Sequence, residues 1–200
     1  YNYTEGYGSY LIPAVMMIII FQTLLMVIGM VTGEEYSSDG IRTYAPFGHT
    51  WAAAIRIVAG KAIVYCGLYA IFSFFLLGLL PYFFSIPNIG NGLYIVLLMI
   101  PYLIATSFLG LAASRYFTDS EAPLLMIAFF SVGLIFLSGV SYPMELMPWY
   151  WKAAHYILPA APATLAFVQL NSMGASMADI RPEYITLWIQ VLVYFILSIW

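Results

Sequence analysis

The fold of this chain is decided by one stretch, Ser138-Gly139-Val140-Ser141-Tyr142-Pro143-Met144-Glu145-Leu146-Met147-Pro148-Trp149-Tyr150-Trp151. It interrupts a long apolar run with prolines, a glycine and aromatic residues, and two more prolines follow at 159 and 162. In hydrocarbon, backbone polar groups must be hydrogen-bonded within the protein. A proline-broken, aromatic stretch between apolar helices therefore lies at the membrane interface or re-enters against other helices.

The composition places the whole chain in the membrane class. Apolar residues make up 64% of the 200 positions and charged residues 8%, whereas soluble domains carry roughly 45–50% and about 25%. A soluble fold could not cover so much apolar surface, so we divide the chain into spans of about 20 residues. The net charge of -3 is small, and it indicates no nucleic acid partner.

Runs without charge mark the spans. Lys61 and Arg115 enclose a run that would form roughly 80 Å of straight helix, far more than one bilayer. Prolines, glycines and asparagines at 81–92 predict where this run turns back. We expect one transmembrane domain with five spans, at about 10–33, 62–80, 93–114, 122–141 and 184–200. A cytoplasmic loop is predicted at 34–61, and re-entrant or interfacial helices are predicted on the extracellular side at 142–183.

Residues 153–178 do not fit a simple span. They are almost free of charge but contain two prolines, an asparagine and a glycine. We interpret them as two short helices on or in the outer leaflet. A sixth, kinked span is the alternative, because neighbouring helices can satisfy the carbonyls that a proline frees.

The basic residues indicate the orientation. If the first helix runs inward, four of them are cytoplasmic and two are extracellular, which agrees with the positive-inside rule. The four are Arg42, Arg56, Lys61 and Arg115, and the two are Lys152 and Arg181.

The loop at 34–61 is the second informative feature. It is polar and rich in turn residues, and Thr50 is placed to cap a helix that starts at Trp51. By itself this pattern is also that of an ordinary solvated loop followed by a capped helix.

Together the two features resemble the permeases of type 2 class ABC exporters, the ABC-2 type family. In these permeases an acidic residue ends the span after the extracellular domain, a glycine and a short ATPase-contacting helix follow, and a Gly-Lys pair enters the next span. Residues 34–61, which we call the coupling loop, contain Glu35, Gly40 and Gly60-Lys61 in that order, although Ile41 stands where the family often has threonine. Residues 138–151, which we call the exit segment, resemble the family's S-G-x-x-x-P-x-x-x-M-P pattern before the last span.

The resemblance extends over nearly the whole chain and implies an all-α polytopic membrane protein with a cytoplasmic coupling helix and short broken extracellular helices. The chain would be the C-terminal part of the permease, with a first span and an extracellular domain upstream. The implied ATPase-coupling residues are Glu35, Gly40, Ile41, Arg42 and Tyr44. The implied residues of the extracellular exit are Ser138, Gly139, Pro143, Glu145, Pro148 and Trp149.

The predicted spans hold no acidic residue, whereas ion-coupled transporters usually place acids or histidines at mid-membrane. The chain also lacks a phosphate-binding G-x-x-x-x-G-K-[ST] motif, so an ATPase would be a separate subunit or lie outside this sequence. H-E-x-x-H and G-x-S-x-G are absent too, and we predict no catalytic site, cofactor or metal.

We therefore expect a permease subunit of an ATP-driven exporter that moves a lipophilic or amphipathic substrate outward. The resemblance implies a nucleotide-binding ATPase subunit, a second permease subunit and the lipid bilayer as partners, in a bacterial cytoplasmic (inner) membrane. The alternatives are a membrane scaffold that transports nothing and a channel, although no filter-like segment stands out.

Overall fold

The computed structural model describes residues 7–37, 51–84, 89–116, 121, 123–124 and 133–199. Within these ranges the regular structure is helical and contains no strand. This confirms the predicted all-α polytopic membrane fold. The helices are α1 (Tyr7–Ser37), α2 (Trp51–Phe74), α3 (Leu80–Phe83), α4 (Gly92–Ala113), α5 (Trp149–Ile157), α6 (Ala160–Met173) and α7 (Arg181–Ile199).

Among the residues that the structure describes, four helical stretches are long and apolar enough to cross a membrane, or five if α5 and α6 form one broken span. They are Leu11–Gly33, Trp51–Phe83, Gly92–Tyr116 and Arg181–Ile199. Of the fourth span predicted at 122–141, only the residues at 123–124 and 133–141 belong to the described part. The assignment of the loops to the two sides of the membrane stays a prediction.

The second of these stretches is continuous over Trp51–Phe83 because a π-helical turn, Phe75–Leu79, joins α2 to α3. It begins well before the span predicted at 62, since the helix predicted from Trp51 runs into that span without a break. The next helix starts at a cap, where the Asn91 side chain accepts a hydrogen bond from the Leu93 amide at 3.0 Å. Such a cap satisfies one of the amides left free at a helix N-terminus.

The core lies where α1, α4, α6 and α7 meet. Its completely buried side chains include Ile20, Leu98, Leu170 and Leu187, one from each of these helices. One buried polar contact crosses this core, because the Tyr102 hydroxyl of α4 donates to the backbone carbonyl of Met17 in α1 at 2.7 Å. A hydroxyl buried without such a partner would be costly.

A glycine sets the distance between α1 and α4. A Cβ atom placed on Gly110 would lie 2.9 Å from Cδ1 of Ile28 and 3.2 Å from Cδ2 of Leu25. The small residue therefore serves helix packing within the chain, as small residues commonly do between membrane helices.

Candidate functional site

An ion pair joins the two helices that flank the coupling loop. Glu35 in the last turns of α1 accepts a hydrogen bond through Oε2 from Nζ of Lys61 in α2. Both side chains are partly buried, with 31% and 21% of their surfaces exposed. Glu35 and Lys61 are therefore in direct contact, although the sequence places them at opposite borders of the coupling loop.

The other predicted coupling residues, Gly40, Ile41, Arg42 and Tyr44, lie outside the described residues, which stop at 37 and resume at 51. The ion pair ties the end of α1 to α2 at a point ten residues after α2 begins, between partners 26 positions apart in the chain.

A second contact ties two helices at the same end of the bundle. The guanidinium of Arg115, which follows α4, donates to the backbone carbonyl of Ser198 in the last turn of α7. The coupling loop thus leaves from an end at which charged side chains brace the helices.

At the exit segment, Ser138 and Gly139 terminate a helix whose described residues are 133–137. The hydroxyl of Ser138, a buried residue, donates to the carbonyl of Ile135 at 2.7 Å. Gly139 has φ = +80°, a conformation that only glycine adopts at low cost. A Cβ atom there would also lie 2.9 Å from Cγ of Met144. These two predicted site residues therefore end the helix and turn the chain.

The remaining predicted exit residues, Pro143, Glu145, Pro148 and Trp149, follow this turn in the chain. Pro143 precedes a 3-10 turn, Met144–Leu146, and Pro148 precedes α5. Pro143 and Pro148 are exposed, and Trp149 is 80% exposed. Glu145 belongs to the 3-10 turn, but its side chain lies outside the described part.

A cavity of about 360 Å³ lies beside the exit segment. Pro148 is the one predicted exit residue in its lining, together with Gly133, Phe136, Tyr142, Met147 and Trp151. The structure therefore gathers only part of the predicted exit set around an open volume.

Three polar side chains that sequence reasoning missed hold α5 in place. His155 is buried, and its Nδ1 lies 2.8 Å from the carbonyl oxygen of Leu137, which requires Nδ1 to carry the proton. Gln190 and Tyr194 of α7 donate to the carbonyls of Tyr156 and Ile157 at the end of α5. No local sequence signal marks these contacts, because they join residues 18, 34 and 37 positions apart.

The junction of α5 and α6 lies beside the middle of α7. The two short helices are bent by 88° at the junction. Gln190 and Tyr194, which contact the end of α5, lie ~14 and ~20 Å along α7 from Arg181, at 1.5 Å per residue.

From this junction α6 runs back toward the loop between α3 and α4, where the Ile89 amide donates to the carbonyl of Asn171 at 3.1 Å. With 14 residues, α6 covers ~21 Å, which is less than the ~30 Å of a hydrocarbon core.

The described residues contain no group of three or more His, Cys, Asp or Glu side chains that could hold a metal ion. The arrangement of several long apolar helices is that of an integral membrane protein.

Comparison with protein-family models matches the whole chain, residues 1–200, to the family described as ABC-2 family transporter protein. The chain belongs to this family and is a membrane domain of an ABC transporter permease. Members are transport components that work with an ATPase subunit. Comparisons with curated proteins and with solved structures gave no match.

Proposed function

We propose that this chain is the membrane-spanning part of an exporter that moves a lipophilic or amphipathic substrate outward. A separate ATPase subunit supplies the energy, and a second permease subunit completes the path in a bacterial cytoplasmic membrane. The observation that carries the proposal is the ion pair between Glu35 and Lys61, which joins both ends of the coupling loop.

The ion pair gives the loop a mechanical role. A push on residues 38–50 by the ATPase reaches α1 and α2 together, because the ion pair ties the end of α1 to Lys61, ten residues after α2 begins. From α1 the displacement passes to α4 and α6, on which α1 packs. A rigid helix transmits such a movement along its length because interiors are close-packed.

The far end of this chain of contacts is the exit segment. The end of α5 is held by Gln190 and Tyr194 of α7, so tilting α7 moves the α5–α6 junction. In this proposal α5 and α6 form a re-entrant pair on the extracellular side, and Gly139 is the fixed turn about which the exit segment changes position.

The chemistry of the spans supports a lipophilic cargo. The segments 11–33, 62–83 and 92–114 contain no Asp, Glu, Lys or Arg. A strongly charged substrate would have no counter-charge along these helices, and charges at membrane depth are costly.

The test is whether the ATPase depends on the coupling loop. In the full-length protein, purified with its partners in mild detergent, Arg42→Glu should reduce the amount of co-purified ATPase and the ATP hydrolysis rate. Arg181→Glu is the matched control, because it makes the same charge reversal at an exposed position at the start of α7. It should leave both quantities unchanged.

Unchanged amounts of co-purified ATPase and an unchanged ATP hydrolysis rate in the Arg42 variant would refute the coupling role. If the wild-type protein co-purifies with no nucleotide-binding subunit and shows no ATP hydrolysis, the exporter proposal is wrong and the chain is a membrane scaffold.

A further inference from the structure

The start of α2, residues 51–60, projects from the bundle, and we call it the α2 extension. Sγ of Cys66 in α2 and Oγ of Ser107 in α4 are 3.4 Å apart, and this contact aligns the two helices, which run in opposite directions. From this level the α4 stretch reaches Tyr116 after ~14 Å, whereas α2 reaches back to Trp51 over ~23 Å. The α2 extension therefore ends ~9 Å beyond the end of the α4 stretch.

The α2 extension lies outside the hydrocarbon of the membrane. Charges at membrane depth are costly, so Arg56 and Lys61 place the boundary of the hydrocarbon after residue 61. Residues 62–83 then cover ~33 Å, which is enough for a hydrocarbon core of ~30 Å. Because α2 passes this boundary as one helix without a proline, the extension does not turn to lie on the membrane surface.

The distance from the boundary excludes lipid as the partner of Trp51. This residue lies ~15 Å along the helix axis from Lys61. Even at a helix tilt of ~40° it would be ~11 Å from the hydrocarbon, whereas the headgroup layer is only ~5–8 Å thick. Helical side chains also point toward the N-terminus of their helix, which here is away from the membrane.

The exposed side of the α2 extension is apolar and carries one positive charge. Trp51 is 67% exposed and Ile55 is 41% exposed, and residues four positions apart share one face of a helix. Arg56 beside them is exposed, whereas Ala53 on the other side of the helix is buried. Tryptophan and arginine are among the residue types that dominate the affinity of protein interfaces. An indole held in water on a projecting helix therefore indicates a protein partner.

The position of the α2 extension in the chain indicates which protein this is. The chain leads directly into Trp51 from residues 38–50, on which the proposed function places the ATPase. Members of this family work with an ATPase subunit. A subunit bound at residues 38–50 is therefore the partner that lies within reach of the exposed indole.

We propose that the α2 extension is a docking surface for the ATPase subunit, with Trp51 as its anchor. Trp51 and Ile55 enter an apolar pocket of the ATPase subunit, and Arg56 faces acidic side chains at the rim of that pocket. The surface lies outside the predicted coupling residues, which end at Tyr44. It also gives the ATPase direct hold of the second span, because the extension and the span are one helix. This inference rests on the proposed function.

The first test is site-specific photo-crosslinking in the full-length transporter, purified with its ATPase subunit and placed in lipid nanodiscs. Benzoylphenylalanine in place of Trp51 should give an adduct with the ATPase subunit, and mass spectrometry of the joined peptides identifies the contact. The control position is Leu68, which is 58% exposed on the same helix but lies within the span. The same crosslinker there should give no adduct with the ATPase subunit.

The second test measures the Kd of the ATPase subunit for the transporter in nanodiscs. Trp51→Ala should raise this Kd about 30-fold, the loss expected for an anchor residue of an interface, and Trp51→Phe should retain most of the affinity. Trp188→Ala is the matched control, because it removes a partly exposed indole from α7, and it should leave the Kd unchanged. The Trp51 variants should melt within about 2 °C of the wild type, since the side chain is largely exposed.

The inference is overturned if the crosslinker at position 51 joins only lipid or residues 38–50 of its own chain, or if Trp51→Ala leaves the Kd unchanged. If Arg42→Glu still weakens ATPase binding in either case, the proposed function stands and only the docking surface is wrong. If the wild-type protein binds no ATPase subunit, the proposed function and this inference both fail.

Discussion

Replacing Gly90 with alanine should displace the loop between α3 and α4 from its packing against α6. A Cβ atom at this position would lie 2.6 Å from the carbonyl oxygen of Leu170 and 3.1 Å from Cα of Asn171. Both are backbone atoms in α6, so no side chain can move aside to make room. The loop must instead shift by several tenths of an ångström, and the adjacent hydrogen bond from the Ile89 amide to Asn171, 3.1 Å long, is strained or lost.

The cost follows from these contacts. Overpacking costs ~1–3 kcal/mol, and the hydrogen bond contributes ~0.5–1.5 kcal/mol. Alanine also lowers the conformational entropy of the unfolded chain, which offsets ~0.4–1 kcal/mol of this loss of stability. The net loss of about 2 kcal/mol corresponds to a decrease of ~5 °C in Tm for a domain of this size.

The assay is thermal unfolding of the full-length protein in detergent, followed by size-exclusion chromatography of the heated samples. Gly92→Ala is the matched control two residues further on, because a Cβ atom there meets nothing within 4 Å. This control should melt at the wild-type temperature or slightly above it. If the Gly90 and Gly92 variants melt within about 1 °C of each other, this loop does not approach α6 as closely as described, because a clash of this size should lower Tm by more than 1 °C.

Two further predictions concern the ends of the proposed transmission path. Reversing either charge of the pair Glu35 and Lys61 should lower the free energy of unfolding, and the double variant E35K/K61E should recover it. A double-mutant cycle should give a coupling energy of ~0.5–1 kcal/mol. Additive losses would show that the two side chains do not interact. Gly139→Ala should lower the free energy of unfolding by ~1–2 kcal/mol because of its positive φ, and the companion change Met144→Ala should restore only part of this loss, since it removes the clash but not the backbone strain. Full recovery in chemical denaturation would mean that the turn does not require glycine.

The membrane class of this protein was predictable because it depends on composition and on the positions of a few charges. The borders at Glu34, Lys61 and Arg115 enclose apolar runs whose lengths leave few ways to cross a bilayer. The interruption that begins at Ser138 was equally accessible, since glycine and proline act on the backbone within a few residues of their own position. The helix predicted to run to about 141 ends at 137.

The candidate site was predictable only in part. The order of Glu35, Gly40 and Gly60-Lys61 marked the coupling loop, but it did not show that Glu35 and Lys61 touch. The roles of His155 and Tyr194 carried no signal in the sequence, because a buried polar side chain is defined by a partner on another helix.

The sequence by itself determined that the chain crosses a membrane several times and that its apolar helices are interrupted before the last one. These properties follow from local apolarity and backbone chemistry. Only the tertiary structure decided that Glu35 pairs with Lys61, that the α5–α6 junction lies beside the middle of α7, and that α2 extends beyond the end of the α4 stretch with Trp51 exposed. Those features depend on which faces of distant helices pack together, and almost uniformly apolar helices do not specify their packing faces in advance.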